Sequence, residues 1–294
     1  MLPGSSPPSS TEDKLFSQKD SIQIKGRLIC LKKPMIMGIL NLTPDSFFSG
    51  SRLDKNLNKI LAHAQKMIQD GADFLDLGGY SSRPGATEIS VQEELDRVVP
   101  AVEIIRAEFP EILISIDTFR AEVAKESVAA GADLVNDISS GDLDEDMLPL
   151  IASLGIPYIS MHMKGNPQNM LSQTDYSDIL LEILHYFAKK VDLFRKIGIK
   201  DVIIDPGFGF AKTVEQNYFL LKNLKNFQAL GSPILVGVSR KSLIYRTLGI
   251  NASDALNGTT ALNMFALTQG ANILRVHDVK EAKETIKLFE QLYP

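Results

Sequence analysis

The chain has 294 residues, 44% of them hydrophobic, with 31 basic and 36 acidic side chains and a net charge of −5. That is enough apolar material for one large core, and the charge excludes a global attraction to nucleic acid or to an anionic membrane surface, so any anion site has to be local. The one cysteine, Cys30, excludes an internal disulfide framework, and no apolar run approaches the roughly 18 residues of a membrane span; with no apolar segment in residues 1–14 to serve as a signal peptide, the expected location is cytoplasmic.

Residues 1–20, rich in Ser and Pro and without a hydrophobic period, are expected to form a disordered leader, leaving 21–294 as a single domain. Ile22, Ile24, Leu28 and Cys30 alternate around Lys25-Gly26, the pattern of a small β-hairpin. From Pro34 a plan repeats, in which a short apolar run ends in a polar residue, a loop follows, and a segment of helical period comes next. The runs end near Asn41, Asp76, Asp117, Asn136, Met161, Asp205, Ser239 and Arg275, at a mean spacing of about 33 residues, the size of a βα unit. Glycines at 71, 131, 155, 198 and 270 stand between a helical segment and the next run, where a left-handed residue closes a helix. Eight such units, nearly all ending in a polar side chain, predict an α/β fold of the (β/α)8 TIM-barrel type with an N-terminal β-hairpin. An open doubly wound sheet would divide its polar strand ends between two crevice halves. The hairpin is expected to plug the amino-terminal mouth.

In a barrel the residues just past each strand converge on one pocket. Asp117, Asn136 and Asp205 then supply two carboxylates and an amide, with Lys241 nearby from the seventh unit. Such a set suits a nitrogen-rich heterocycle, because a carboxylate accepts parallel N–H bonds worth roughly 1.5–3 kcal/mol each. Any one of these residues reads as readily as a helix cap or an internal pair; the three together do not. The stretch from Val202 to Lys212 is open between two readings when taken alone. Asp-Pro-Gly is ordinary turn chemistry, yet a strand-end carboxylate followed by glycines alternating with Phe208 and Phe210 would also make a wall for something flat. The last two units bring Arg240, Lys241, Arg275, His277 and the hydroxyls of Ser239 and Ser242 to neighbouring loops, where many barrels hold a phosphate. Arg275 and His277 would grip a terminal phosphate; ion pairing with nearby acids is the alternative. Asn41 heads a long loop that carries Asp45, Ser46 and Phe47, and Ser82 and Arg83 lie in another, both suited to act as lids. Beside a diphosphate, Asn41 could contribute to Mg2+, which takes few protein ligands. His162, between two methionines, reads as a core or supporting residue.

Taken in order, Met37-Gly38-Ile39-Leu40-Asn41-Leu42-Thr43-Pro44-Asp45-Ser46-Phe47, Asp76-Leu77-Gly78-Gly79 with Ser82-Arg83-Pro84-Gly85, Ser115-Ile116-Asp117-Thr118, Asn136-Asp137-Ile138, Met161-His162-Met163, Asp205-Pro206-Gly207-Phe208-Gly209-Phe210, Gly237-Val238-Ser239-Arg240-Lys241-Ser242 and Arg275-Val276-His277-Asp278 resemble the dihydropteroate synthase family. The resemblance implies condensation of 6-hydroxymethyl-7,8-dihydropterin diphosphate with p-aminobenzoate, giving 7,8-dihydropteroate and pyrophosphate. It implies a pterin site of Asp117, Asn136, Met161, Asp205, Gly237 and Lys241, and a diphosphate site of Asn41, Arg275 and His277 with Mg2+ on Asn41. It implies a p-aminobenzoate pocket of Ser82, Arg83, Phe210, Ser239 and Lys241 under a lid of Asp45, Ser46 and Phe47. The catalytic set it implies is Asp117, Asp205, Lys241, Arg275 and His277. The small-molecule substrates are the implied partners, with neither nucleic acid nor membrane. A homodimer is also implied; the apolar segment from Ala255 to Gln269 would serve it, although packing on the barrel explains that segment equally. The sequence departs from the family's usual pattern at Tyr80, where a glutamate is common, and at Ser82, where threonine is. The alternatives are a methyltetrahydrofolate-binding methyltransferase barrel, which has no diphosphate to hold, and a non-catalytic pterin-binding protein.

Overall fold

The computed structural model describes residues 19–43, 53–81 and 87–294. Strands β1 (Ser21–Ile24) and β2 (Arg27–Cys30) pair antiparallel, and Lys25 and Gly26 between them both have positive φ, 47° and 79°, the turn geometry that follows the natural twist of a hairpin. This turn sets Ile22 opposite Ile29, so even-numbered residues of β1 share a face with odd-numbered residues of β2. The expected alternation therefore holds for Ile22 and Ile24 but not for Leu28, which is 73% exposed, nor for Cys30, also exposed. Of the expected leader, residues 1–18 lie outside the described residues. Lys19 and Asp20 are tied to the barrel: the Lys19 amide donates to the Gly231 carbonyl (3.0 Å), its ammonium pairs with Asp201, and the Asp20 carbonyl accepts from the Leu31 amide (2.7 Å).

The eight runs that follow form parallel strands: β3 (Met35–Asn41), β4 (Phe74–Gly78), β5 (Leu113–Asp117), β6 (Leu134–Asp137), β7 (Tyr158–Met161), β8 (Val202–Asp205), β9 (Leu235–Val236) and β10 (Ile273–Val276). Their order is β8-β7-β6-β5-β4-β3-β10-β9. A parallel bridge between Ile204 and Ile234, with the Ile204 amide donating to the Pro233 carbonyl (2.8 Å), joins the two ends, so the sheet closes into the expected (β/α)8 barrel. Helices α1 (Leu53–Asp70), α2 (Val91–Glu108), α3 (Ala121–Ala129), α4 (Met147–Leu154), α5 (Ile179–Ile197), α6 (Val214–Lys222), α7 (Ser242–Leu248), α8 (Leu256–Thr268) and α9 (Val279–Leu292) alternate with the strands, two of them between β9 and β10. Gly198, at φ 91°, ends α5 in the left-handed conformation and returns its amide to the Phe194 and Arg195 carbonyls. No helix among the described residues is long and apolar enough to cross a membrane.

Because strand side chains alternate, each run has an outward and an inward set. Outward residues such as Ile36, Leu75, Ile114, Ile204, Val236 and Leu274 join one core with the helices. Inward, the first step is apolar: Met37, Phe74, Leu134, Ile159, Ile203, Leu235 and Ile273 form a cluster with Ile22, Ile24 and Leu31. The hairpin thus closes the amino-terminal mouth with its buried face. Two residues further along, the inward set becomes Asp76, Ser115, Asn136, Met161, Asp205, Gly237 and Arg275, so one alternation carries the barrel interior from dry plug to polar floor. Ile22 is fully buried at this plug. Ile22→Ala should lower unfolding free energy by about 2–5 kcal/mol, the cost of a large-to-small change in a packed core, read as a lower urea midpoint, whereas Leu28→Ala should leave the midpoint nearly unchanged.

Candidate active site

The polar floor is organised by Arg275. Its Nε donates to Asp76 Oδ2 (2.6 Å) and its Nη2 to Asp117 Oδ2 (2.6 Å), and Asn136 Nδ2 donates to the same Asp76 oxygen (3.0 Å). Four strands, β4, β5, β6 and β10, are cross-braced by this network. Burial, opposed by Arg275 and reinforced by Asp76, pushes the Asp117 carboxyl up to about 7. Arg275 itself pays for burial, but Asp76 and Asp117 more than offset that and hold it above the usual guanidinium range. Across the cleft stands a second opposite-charge pair. Burial raises Asp205 against the pull of Lys241 and lowers Lys241 to about 8 against the pull of Asp205.

The cleft above the floor is lined by Asp117, Asn136, Ile138, Met161, Asp205, Phe210, Lys241 and Arg275. Met161 also packs in an apolar cluster with Ile138, Met163, Met170 and Ala211, against which Phe119 and Phe210 rest. Carboxylates and an amide in one wall, thioether and ring in another, suit a flat ligand with donor N–H groups.

The loop after β8 supports both readings of its sequence. Asp205 Oδ1 accepts the Gly207 amide (2.8 Å), which is an Asx turn, and the same loop brings Phe210 into the cleft wall. Gly207, at φ 75°, could carry no side chain, since a Cβ would stand 2.0 Å from the His162 carbonyl oxygen. Lys241 Nζ donates to the Phe208 carbonyl (2.6 Å) and lies 4.8 Å from the Phe210 ring centroid. At Gly237 a Cβ would touch Lys241 Nζ at 3.7 Å and Arg275 Cβ at 3.8 Å, which places Gly237 between these two side chains.

Residues 37–277 match the family of pterin binding enzymes. The chain is 43% identical over 279 residues to the dihydropteroate synthase of Escherichia coli (strain K12), covering 94% of this chain and 95% of the relative. It is 44% identical over 265 residues to that of Synechocystis sp., covering 89% and 91%. The chain belongs to the dihydropteroate synthase family. Among solved members, the Yersinia pestis dihydropteroate synthase in a sulfonamide drug complex superposes with a TM-score of 0.86 at 41% identity, covering 92% of this chain and 98% of that one. The Xanthomonas albilineans dihydropteroate synthase with 4-aminobenzoic acid gives 0.86 at 35%, covering 93% and 98%.

Against the family pattern, the site residues fall as follows. Asp117, Asn136, Met161, Asp205, Phe210, Lys241 and Arg275 share the cleft. His277 stands one residue past β10, where its Nδ1 lies 3.0 Å from Ser239 Oγ and its amide donates to the same oxygen (3.2 Å), so Ser239 fixes the imidazole. Asn41 ends β3 beside Gly78 of β4. Ser82, Arg83, Asp45, Ser46 and Phe47 lie outside the described residues. Ion pairing, the alternative for Arg275, is met there by Asp76 and Asp117, and Arg240 is paired as well: from a left-handed φ of 54° its Nε and Nη2 grip Asp278 (2.8 and 2.7 Å), and its Nη1 reaches the Ala252 and Ser253 carbonyls. Tyr80 is buried against Phe119, beneath the Arg120 guanidinium, and accepts from Gln168 Nε2 (3.1 Å), joining the loops after β4 and β7. Asp76 was not among the expected site residues. A carboxylate inside the apolar run Phe74-Leu75-Asp76-Leu77 was its signal, because a buried charge requires a partner.

Asp76→Ala takes away one of the two carboxylates on Arg275 and the acceptor of Asn136. It should lower stability by about 3 kcal/mol or more, the cost of breaking a buried pair, measured by denaturant unfolding; an unchanged midpoint would remove Asp76 from the floor.

Proposed function

We infer that this chain condenses 6-hydroxymethyl-7,8-dihydropterin diphosphate with p-aminobenzoate, releasing pyrophosphate, and that the cleft over the Arg275 network is where it does so. The observation that carries the assignment is the convergence of Asp117, Asn136 and Asp205 on one cleft walled by Met161 and Phe210. Asp117 has Oδ2 on Arg275 and Asp205 has Oδ1 on Gly207, so each keeps its second oxygen for an N–H donor of the amino-pyrimidine edge. Phe210 and Lys241, 4.8 Å apart, would hold p-aminobenzoate by its ring and its carboxylate, with Ser82 and Arg83 completing that side.

In the reaction the C–O bond between the pterin methylene and the diphosphate breaks and a C–N bond to the arylamine forms. The electron-rich pterin stabilises the cationic carbon, and Asp117 and Asp205 flank it. The neutral amine is already nucleophilic, so alignment supplies much of the rate, and the proton it sheds leaves with pyrophosphate or solvent. Among the described residues, Arg275 Nη1 has no protein acceptor, whereas Nε and Nη2 are taken. Nη1 and the imidazole of His277 would therefore meet the leaving diphosphate.

For Mg2+, the donor on offer is the amide oxygen of Asn41, and no group of three or more His, Cys, Asp or Glu that could hold a metal occurs among the described residues. A single hard oxygen fits an ion that keeps its waters and is carried chiefly by substrate phosphates. When bound, Mg2+ would neutralise charge on the departing pyrophosphate. In α8 the Thr259, Asn263 and Ala266 face is buried while Phe265 is 38% exposed; this outward face of α8 is the surface we assign to a homodimer. The exposed free thiol of Cys30 fits a reducing cytoplasm.

The test is pyrophosphate release with both substrates and Mg2+, each omitted in turn; release that needs all three supports the assignment, and binding without release would make the chain a non-catalytic pterin binder. Arg275→Lys keeps the charge but not the fork and should lower kcat by about 10²-fold or more. Because only ionised Asp117 accepts two N–H bonds and its carboxyl stands at about 7, the affinity for 6-hydroxymethylpterin should rise about tenfold from pH 6 to pH 8, in proportion to the ionised fraction. Asp117→Asn should bind weakly with no such slope in a fluorescence titration.

A further inference from the structure

Lys212 is a buried cation with no part in the chemistry above. It is 8% exposed, yet it faces no carboxylate in hydrogen-bond range. Its Nζ lies 2.9 Å from the Gly207 carbonyl oxygen, 2.9 Å from that of Phe210, 3.3 Å from that of His162 and 3.1 Å from His162 Nδ1. An ammonium has three hydrogens to give, and here three carbonyl oxygens and a ring nitrogen surround it. The carbonyls converge because the loop coils through three left-handed residues, Gly207 (φ 75°), Gly209 (82°) and Ala211 (48°). For Ala211 that conformation costs roughly 1–2 kcal/mol, so something must hold it.

Three other contacts share the task. The Gly209 amide donates to Asn217 Oδ1 (2.7 Å), Tyr176 Oη donates to the Ala211 carbonyl (3.0 Å), and Lys241 Nζ donates to the Phe208 carbonyl (2.6 Å). The last of these is conditional. If Lys241 turns to a substrate carboxylate it must release Phe208, and Lys212 is then the one ammonium still gripping the loop among the described residues.

We propose that Lys212 is a positioning residue for the second substrate: by gathering the Gly207, Phe210 and His162 carbonyls it ties the loop after β8 to the end of β7 and sets where the Phe210 ring stands. The proposal rests on the p-aminobenzoate pocket assigned above. It makes Lys212 matter less to the pterin than to p-aminobenzoate, because Asp117, Asn136 and Asp205 stand on the strands themselves and Lys212 reaches one of them, Asp205, only through Gly207 and its charge.

The experiment uses the full chain with Lys212→Met, which keeps length and removes every donor, and Lys212→Gln, which restores two donors and serves if the methionine variant does not fold. Three quantities are read: KM for p-aminobenzoate, the dissociation constant of 6-hydroxymethylpterin alone, and amide hydrogen exchange at residues 207–211. With one charge-assisted grip lost, KM should rise about tenfold or more in Lys212→Met, less in Lys212→Gln, with pterin affinity within about threefold and exchange faster by about tenfold. An unchanged KM in a folded variant, or equal loss of pterin and p-aminobenzoate binding, overturns the positioning role. Should the unsubstituted chain release no pyrophosphate, the assigned reaction fails instead, and the exchange rates still decide whether Lys212 holds the loop; exchange equal in all three chains would overturn that too.

Discussion

Arg275 sits inside the barrel with one nitrogen on Asp76 and another on Asp117, and the remaining floor takes its geometry from that arrangement. A guanidinium between two carboxylates is stable in a low-dielectric interior only while both are present and well aligned, because removing one partner leaves an uncompensated charge. The bond to Asp76 crosses from β10 past β3 to β4, and the bond to Asp117 reaches β5. Asn136 on β6 then aligns on the Asp76 oxygen already taken by Arg275. Half of the barrel's strands are thereby fixed in rotation relative to one another at the level where a ligand would sit. The braced floor explains how single residues on separate strands can be held in register at the base of one pocket, with Phe210 and Lys241 added from the loops above.

The hairpin makes this placement possible from below. A polar floor directly exposed at the amino-terminal mouth would be hydrated from both sides, and its ion pairs would weaken in the higher dielectric. Ile22, Ile24 and Leu31 instead seal the first inward layer with seven strand residues, so the floor opens only toward the carboxyl ends of the strands. The two-residue turn at Lys25-Gly26 matters here, since it decides which hairpin face is the apolar one.

Much of this was legible in the sequence for a simple reason. Strands buried on both faces read as unbroken apolar runs, so a polar residue on the inward phase stands out, as Asp117, Asn136, Asp205 and Arg275 do. Strand ends, helix-closing glycines and barrel closure followed from that pattern. Pairing did not. Arg275 meets Asp76 across 199 positions and Asn136 meets it across 60, and no local rule couples such residues, so Asp76 passed as the end of a run. Neighbours were equally opaque: Arg240 and Lys241 are adjacent cations, and only the left-handed backbone at Arg240 sends one to Asp278 and the other to the cleft. The outward faces of Leu28 and Cys30 depended on a turn whose length fixes parity.

The charges around the cleft also bear on the Mg2+ proposed above. Asp76, Asp117 and Asp205 bring three carboxylates to the floor and its rim; Arg275, Lys241 and Lys212 bring three cations. Burial works against every one of the shifted groups, raising Asp117 to about 7 and lowering Lys241 to about 8 and Lys212 to about 7, so the set stays near neutrality and offers little net attraction to an anion. That balance is what a neutral pterin ring requires. A diphosphate brings several negative charges that the floor leaves unmet, apart from Arg275 Nη1 and the imidazole that Ser239 orients at His277. An ion arriving with the diphosphate would supply the missing charge without adding a buried cation that the empty site would have to stabilise, and a single amide at Asn41 would then suffice to receive it.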